Sequence, residues 1–248
     1  AKATVSIILP TYNERGNIEK IIPEIFSSCK RLNAKVEVVV VDDNSPDGTG
    51  RLAEQLSRKY NVKVIHRTGK KGLASAVIQG FTESKSRVIG VMDADLSHPP
   101  QALPKMIKPL LKNEAELVIG SRYIRGGGVE VWPIHRRLTS KIATLMAWPL
   151  TRVNDPMSGL FFFKREAIEG VKLNAKGYKI GLEVIVKGKY SRVVEVPYMF
   201  RNRFVGKSKL TATEYIHYIR NLIVLAAYKL THKENRKEYI NQPFSEKG

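Results

Sequence analysis

The sequence is poor in cysteine and lacks a long hydrophobic run. Cys29 is the single cysteine in 248 residues, which excludes an internal disulfide scaffold and a metal site made of several thiolates. The longest apolar run near the C-terminus, residues 222–228, is far below the ~18 residues that a membrane-spanning helix needs. We therefore expect neither a disulfide-stapled scaffold nor a spanning segment, and the first residues show no pattern of a secretory signal peptide.

Acidic residues are scarce relative to basic ones. The chain has 42 Lys and Arg against 23 Asp and Glu, a net charge of +19, and residues 121–248 hold 24 of the basic but only 10 of the acidic residues. This excess favours an anionic partner, such as nucleic acid, a phosphorylated ligand or an acidic membrane surface. A hydrophobic content of 43% at this length allows a sizeable core and excludes a globally disordered chain.

The first half of the chain alternates between strand and helix patterns. Short β-branched runs predict strands, and 3.6-residue apolar spacing predicts helices between them. The predicted strands are residues 5–9, 36–41, 62–65, 88–92 and 117–120, and the predicted helices are residues 17–32, 50–60, 73–84 and 101–112. This order predicts an α/β fold, a mostly parallel sheet with helices on both faces.

The second half is less regular. It predicts a glycine-rich loop at 125–133, helices at 136–150, 181–187 and 213–230, strands at 159–164 and 193–196, a basic loop at 201–209, and a frayed polar tail at 233–248. No linker divides the chain, so we expect one domain with a C-terminal helical appendage, and we place the boundary between residues 1–210 and 211–248.

Two carboxylates follow the fourth predicted strand. Asp93 and Asp95 stand two residues apart directly after it, and ligands gather at the carboxyl ends of parallel strands. Carboxylate and phosphate oxygens are the ligands that Mg²⁺ and Mn²⁺ prefer. A lone pair of this kind is usually a solvated turn, but its position at a strand end favours a metal site.

Two further strand ends carry groups suited to a nucleotide. Asp42 and Asp43 end the second strand, where a carboxylate can accept hydrogen bonds from a base or ribose. Tyr12 and Glu14 leave the first strand, where a ring can stack on a base and a carboxylate can bond to it. All three strand ends together predict a nucleotide and metal site.

Six sequence runs extend this pattern to a known family. They are LPTYNER at 9–15, VDDNSPDGT at 41–49, KGLASAV at 71–77, MDADLSHPP at 92–100, GSRY at 120–123 and GKSKL at 206–210. Over roughly residues 4–230 the chain resembles the inverting nucleotide-sugar glycosyltransferases of the GT-A fold, and among them the dolichol-phosphate mannosyltransferases. The resemblance implies a GT-A (Rossmann-like) fold with a C-terminal amphipathic helix, and transfer of mannose from GDP-mannose to dolichyl or another polyprenyl phosphate with Mg²⁺ or Mn²⁺.

The resemblance also implies roles for individual residues. The residues that match the guanosine pocket are Pro10, Tyr12, Glu14, Val41 and Asp43. The residues that match the metal and diphosphate motif are Asp93, Ala94 and Asp95, with Asp95 the direct catalytic ligand, and Ser97 stands where some members have a glutamine ligand. The residues that match the catalytic contacts to the acceptor phosphate are Arg122, Arg136 and Ser140. The residues that match a mobile loop closing over the donor diphosphate are Arg203 and Lys209.

These residue types suit the implied reaction. A departing diphosphate gains negative charge, which a divalent ion and the cations Arg203 and Lys209 would stabilise. A phosphate monoester with a second pKa of about 6 is already mostly dianionic at neutral pH and needs no strong base. His98, followed by two prolines, is expected to shape its loop, and Asp155 is either a turn residue or an acceptor-side contact.

Two alternatives compete with this hypothesis. The donor could be UDP-glucose or another sugar nucleotide, since no spacing argument identifies the sugar. A basic nucleic-acid-binding module would explain the net charge, but it does not explain carboxylates at three strand ends, and no helix-turn-helix or zinc-finger pattern is present. We therefore expect no nucleic-acid partner.

A polyprenyl acceptor implies contact with a membrane surface. Two segments, residues 139–150 and 215–230, combine apolar side chains with few charges or with neighbouring arginines, the pattern of an interfacial helix. Packing on the domain is an equal alternative for the second segment. We expect the protein on the cytoplasmic face of a membrane, the endoplasmic reticulum in a eukaryote or the plasma membrane in a prokaryote.

Overall fold

The computed structural model describes residues 2–69, 72–130, 132–174, 179–201, 212–232 and 238–240. The strands are β1 (Ala3–Thr11), β2 (Ala34–Asp42), β3 (Val62–His66), β4 (Val88–Val91), β5 (Leu117–Ser121), β6 (Gly128–Val129), β7 (Phe161–Lys164), β8 (Arg192–Pro197), β9 (Met199–Phe200) and β10 (Glu238–Ile240). The helices are α1 (Arg15–Cys29), α2 (Thr49–Ser57), α3 (Leu73–Glu83), α4 (Leu103–Leu111), α5 (Ile134–Ala147), α6 (Ile180–Lys187) and α7 (Ala212–Thr231), with 3₁₀ turns at Pro100–Ala102 and Arg165–Ala167.

One eight-stranded sheet forms the centre, in the order β10-β8-β5-β7-β4-β1-β2-β3. Every pairing in it is parallel except those of β7, which runs antiparallel to β4 and β5. A smaller two-stranded sheet pairs β6 with β9. The predicted mostly parallel sheet is confirmed.

Helices cover both faces of the sheet because side chains alternate along each strand. Ile7 and Leu9 of β1 pack in the core that includes α1, α2 and α4, whereas Ile8 packs in the opposite core with α3 and α6. A third cluster joins the ends of α5 and α6 to α7 and includes Leu222 and Leu225. The two main cores hold the strand ends, and therefore the loops that follow them, in fixed positions.

Three expectations about local structure were wrong. The tail predicted to be frayed contains β10, which pairs in parallel with β8, Tyr239 lying opposite Val193. The glycine-rich loop at 125–133 contains β6. The first strand does not stop before Pro10 but continues to Thr11, and a proline is accommodated there because the pairing with β4 has already ended at Ile8.

Three of the apolar side chains in the predicted interfacial segments face inward, and most of the others are exposed. Leu150, expected on a docking face, is 5% exposed, and Leu222 and Leu225 of α7 are also buried. These side chains fill the cluster between α5, α6 and α7, and the hydroxyl of Tyr218 donates to the carbonyl of Ala143 on α5. None of the helices within the described ranges combines the length and apolarity required to cross a bilayer.

The close packing of β4 on β7 predicts a severe effect of Gly90→Ala. Gly90 lies opposite the fully buried Phe162, and an added Cβ would overlap the Phe162 ring, which has no room to move. We expect the free energy of unfolding to fall by about 1–3 kcal/mol, and denaturant titration measures this fall. Gly16→Ala, in the open first turn of α1, is the control, and it should be neutral or stabilising by about 0.5–1 kcal/mol. Equal effects of the two variants would contradict this packing.

Candidate functional site

The carboxyl ends of three neighbouring strands form one edge of the molecule. Thr11 at the end of β1 pairs with Asp42 at the end of β2, and Ile8 of β1 pairs with Val91 at the end of β4. Each following loop contains one non-glycine residue with a left-handed backbone: Asn13 (φ 61°), Asn44 (φ 60°) and Leu96 (φ 64°). This conformation is unusual for a leucine, and such strain concentrates at functional loops.

The loop after β4 holds Asp95 in one orientation. Asp95 is 5% exposed, and its Oδ1 accepts hydrogen bonds from the backbone N–H of Ser97 at 3.0 Å and from the Ser97 hydroxyl at 2.5 Å. The Ser97 hydroxyl therefore fixes the neighbouring carboxylate. Its predicted role as a metal ligand stays a prediction.

His98 and Gly159 shape the surroundings of Asp93. The His98 ring is buried, and its Nδ1 accepts a hydrogen bond from the backbone N–H of Asp93 at 3.1 Å. Burial lowers the pKa of His98, so the ring is neutral and supports the loop, in line with the sequence expectation. At Gly159 an added Cβ would lie 3.1 Å from the His98 ring and 3.2 Å from Asp93 Oδ2. Gly159 was missed in the sequence, where it is one of 18 glycines.

The donor atoms at this edge fit a hard divalent cation. Asp93 and Asp95 offer carboxylate oxygens only, and within the described ranges no group of three His, Cys, Asp or Glu side chains could hold a metal by itself. Mg²⁺ is commonly bound by one or two carboxylates together with substrate phosphates. Two carboxylates at this edge therefore suit a metal that arrives with a diphosphate.

The two acids at the end of β2 have different tasks. Asp42 closes its own turn, because its Oδ1 accepts from Thr11 Oγ1 at 3.1 Å and from Ser45 Oγ at 2.5 Å. Asp43 faces the next loop, where Oδ1 accepts from Arg67 Nη1 and Oδ2 from the backbone N–H of Gly72, both at 2.8 Å. Asp43 is therefore held by a buried ion pair that the sequence does not predict, since its only clue is an arginine just after a short strand.

The remaining predicted donor residues lie at the same edge. Pro10 pairs with Val41, and both are buried, whereas Tyr12 and Glu14 are half-buried in the next loop. Glu14 Oε2 accepts from Asn17 Nδ2 at 2.6 Å. Ala94, between the two predicted metal ligands, is 3% exposed. Arg203 and Lys209, predicted to close over the diphosphate, lie outside the described residues.

Arg122, predicted to contact the acceptor phosphate, follows β5 and is held by Asp155. Its Nε and Nη2 donate to the two carboxylate oxygens of Asp155, each at 2.7 Å, and its backbone N–H adds a third bond at 2.9 Å. Burial alone would lower the pKa of Arg122, but the charge of Asp155 outweighs burial and raises that pKa above its ordinary value. Arg122 is therefore charged at every relevant pH.

An aromatic cluster brings the three predicted acceptor residues together. The guanidinium carbon of Arg136 lies 4.2 Å from the Trp132 ring centroid, and that of Arg122 lies 5.4 Å from it. Ser140, one turn after Arg136 on α5, is 2.7 Å from the hydroxyl of Tyr123. Two arginines that meet at one aromatic ring, with one of them facing a carboxylate, leave a net positive site suited to a second anion.

The buried ion pair between Arg67 and Asp43 predicts a large effect of Arg67→Ala. The two side chains are 3% and 6% exposed, and removal of the arginine leaves a buried carboxylate without its partner. We expect the free energy of unfolding to fall by about 3–5 kcal/mol, measured by denaturant titration. The control is Lys63→Ala, which removes an ion pair with Glu83 that is open to solvent and should change stability far less. A similar loss in both variants would contradict the buried-pair account.

The chain matches known proteins over most of its length. The family model described as Glycosyl transferase family 2 matches residues 6–171. A dolichol-phosphate mannosyltransferase of Pyrococcus furiosus is 49% identical over 229 residues, which are 91% of this chain and 64% of that protein. One of Saccharomyces cerevisiae is 38% identical over 235 residues, 90% of this chain and 87% of that protein. The chain thus spans just under two thirds of the archaeal relative.

Solved structures confirm the GT-A fold. A glucosyl-3-phosphoglycerate synthase of Mycobacterium tuberculosis, with Mn²⁺ and UDP, has a TM-score of 0.61 at 19% identity and covers 94% of this chain and 82% of its own. A mannosyltransferase of Pyrobaculum calidifontis, with GDP-Man and Mn²⁺, has a TM-score of 0.64 at 18% identity. The match covers 94% of this chain and 66% of that one. With this fold and these matches, the chain belongs to glycosyl transferase family 2, and its matched relatives include dolichol-phosphate mannosyltransferases.

Proposed function

We propose that this protein transfers mannose from GDP-mannose to dolichyl phosphate or a related polyprenyl phosphate, with inversion, in the presence of Mg²⁺ or Mn²⁺. The observation that carries the proposal is that His98 connects the loop of Asp93 and Asp95 to the aromatic cluster at Arg122 and Arg136. Its Nδ1 binds the backbone of Asp93, and its ring centroid lies 5.7 Å from that of Phe200, which packs on Trp132 at 5.3 Å. A carboxylate pair suited to a metal diphosphate thus adjoins an arginine pair suited to a phosphate.

The chain's own residues suit a direct displacement. Arg122 and Arg136 hold the acceptor phosphate, whose oxygen forms the new bond to the sugar carbon while the bond from that carbon to the diphosphate breaks. The electron pair leaves with GDP, and one attack opposite the leaving group inverts the carbon. A bound divalent ion would neutralise charge on the diphosphate. His98, neutral and engaged at Nδ1, takes no proton, and the dianionic acceptor requires no base.

The names of the relatives and the fixed carboxylate of Asp43 favour a guanine nucleotide. Guanine presents N–H donors on its pairing edge, which a fixed carboxylate can accept, whereas a uracil ring offers fewer of them. The matched relatives over most of the chain are named dolichol-phosphate mannosyltransferases. The UDP-glucose alternative rests on weaker likeness, since the synthase structures with UDP are only 18–20% identical.

The first prediction from this proposal concerns donor choice. GDP should bind more tightly than UDP, and Mn²⁺ should strengthen the binding of both, because the diphosphate contacts are shared and the base contacts differ. Isothermal calorimetry with and without Mn²⁺ measures this directly. Equal affinities would favour the UDP-sugar alternative. Tighter binding of duplex DNA than of GDP, with a steep dependence on salt, would favour a nucleic-acid-binding protein.

The second prediction concerns the metal carboxylate. Asp95→Ala should lower turnover by about 10²–10³-fold or more, because an electrostatic contact to the leaving group is lost, and Asp93→Ala should be severe but leave some metal binding. Asp47→Ala is the matched control, since that carboxylate lies in a neighbouring loop and bonds to Thr49 and Arg15. Near-normal turnover of Asp95→Ala at saturating Mn²⁺ would refute the assignment.

We also propose that α5 and α7 rest on a membrane surface, which would bring the enzyme to a lipid-linked acceptor on the cytoplasmic face. Both helices carry outward apolar side chains, here called the apolar patch, and among them Leu145, Trp148, Ile216 and Ile223 are all at least 60% exposed. The patch continues from the turn of α5 that carries Arg136, so an acceptor phosphate held there would lie at headgroup depth. An apolar face beside cations is typical of interfacial helices.

Vesicle binding tests this surface. The wild-type protein should bind vesicles of anionic phospholipid at low salt, and Trp148→Glu should weaken binding several-fold without changing the affinity for GDP. Gln79→Glu adds the same charge on α3, which takes no part in the α5–α7 cluster, and should bind as the wild type does. If the wild-type protein ignores anionic vesicles at low salt, the docking surface is wrong.

A further inference from the structure

A buried carboxylate on β8 stands behind the Arg122–Asp155 pair. Glu195 is 2% exposed and pairs in register with Ile119 of β5, the strand that leads to Arg122. Its Oε2 accepts from the backbone N–H of Asn154 at 2.9 Å and from Asn154 Nδ2 at 2.7 Å, and its Oε1 accepts from the backbone N–H of Asp155 at 3.2 Å. Glu195 therefore holds the short segment that carries Asp155.

The surroundings of Glu195 make a purely stabilising role a poor explanation. In the described part of the chain no lysine, arginine or histidine forms an ion pair with it. A buried charge that meets only amide donors carries a large desolvation cost, and an apolar side chain often gives a core as stable or more so. What the carboxylate supplies is geometry, because three bonds fix the position and direction of two successive residues.

That geometry passes to Arg122. Asp155 is fully buried and takes the Nε–Nη2 edge of the guanidinium with both oxygens. The Arg122 plane can then neither rotate nor withdraw, and its opposite edge, with the N–H groups of Nη1 and the outer N–H of Nη2, is left to meet a phosphate oxygen. Trp132 and Phe200 face the same guanidinium at 5.4 and 5.7 Å, so the pose is fixed from two sides.

We infer that Glu195, acting through Asp155, is a positioning residue that aims Arg122 at the acceptor phosphate. The inference rests on the proposed function for the identity of that anion. Glu195 sits within the central sheet, and its backbone position is set by β5. The position of Arg122 is thus fixed relative to the central sheet, because Asp155 contacts both Glu195 and Arg122.

The test is Glu195→Gln, which keeps the size of the side chain but turns one acceptor oxygen into a donor. One of the three N–H groups then faces an NH₂ group, and the segment at 154–155 must shift. The probe is geranyl phosphate, a short polyprenyl phosphate, titrated by calorimetry in the presence of GDP and Mn²⁺. We expect its affinity, and kcat/KM for the acceptor in transfer assays, to fall by about 10–100-fold, since misplacement by about 1 Å can have that effect. The affinity for GDP should stay within about twofold of the wild-type value.

A double-mutant cycle with Arg122→Lys separates positioning from general stability. If Glu195 acts through Arg122, Glu195→Gln in the Arg122→Lys background should have little further effect on the probe's affinity, because the bidentate pair is already lost. The matched control is Glu116→Gln, which makes the same change in a carboxylate just before β5 that accepts from the backbone N–H groups of Ser191 and Arg192, at the far end of β8 from Glu195. That control should leave the probe's affinity unchanged.

The outcomes are distinct. Unchanged probe affinity in Glu195→Gln, an equal loss of GDP affinity, or a full loss that persists in the Arg122→Lys background would overturn the inference. A wild-type protein that binds geranyl phosphate but transfers no mannose would overturn the proposed function alone. Should Glu195→Gln fail to fold, Asn154→Ala removes only the Nδ2 bond to Glu195, and a several-fold loss of probe affinity is expected there, whereas no loss would again contradict the positioning role.

Discussion

The register of β1 against its two neighbours is the constraint on which the site depends. Because β1 pairs in parallel with both β2 and β4, three loops leave the sheet on the same side, and each carries an acidic side chain. The antiparallel strand β7 interrupts this arrangement between β4 and β5. Arg122, which follows β5, is therefore separated by one strand from Asp93 and Asp95, which follow β4.

The charged side chains of the site have partners within the protein itself. Asp43 faces Arg67, Arg122 faces Asp155, and Asp95 receives two hydrogen bonds from Ser97. Each buried charge thus has a fixed partner, which is the arrangement that a low-dielectric site requires. The side chains are held in place, so little reorganisation is needed when two anions are brought together, and electrostatic stabilisation of a developing charge depends on that preorganisation. The excess of basic residues in the second half of the chain suits the approach of those anions.

The sequence predicted the elements and strand ends well, since buried parallel strands are continuous apolar runs and the acids follow them directly. It also placed Arg136 and Ser140 on one helix. It did not predict Arg67, Glu195 or Gly159, because their roles depend on partners 24–66 residues away that only the tertiary structure identifies. It missed β10 because three residues in a polar tail carry no periodic pattern, and their pairing with β8 is what makes them a strand. The inward side chains of α7 were ambiguous for a related reason, as a helix apolar on most of its faces does not reveal which face meets α5.

The central claim is that the metal-diphosphate half and the phosphate half of the site serve one displacement. The most direct measurement is the product formed from GDP-mannose and geranyl phosphate, followed by NMR of the sugar's anomeric carbon and proton. The account predicts a mannosyl phosphate of inverted configuration that forms with Mg²⁺ or Mn²⁺, stops when EDTA is added, and does not form with UDP-glucose in its place. A product with retained configuration, transfer that is indifferent to EDTA, or faster transfer from UDP-glucose would contradict it.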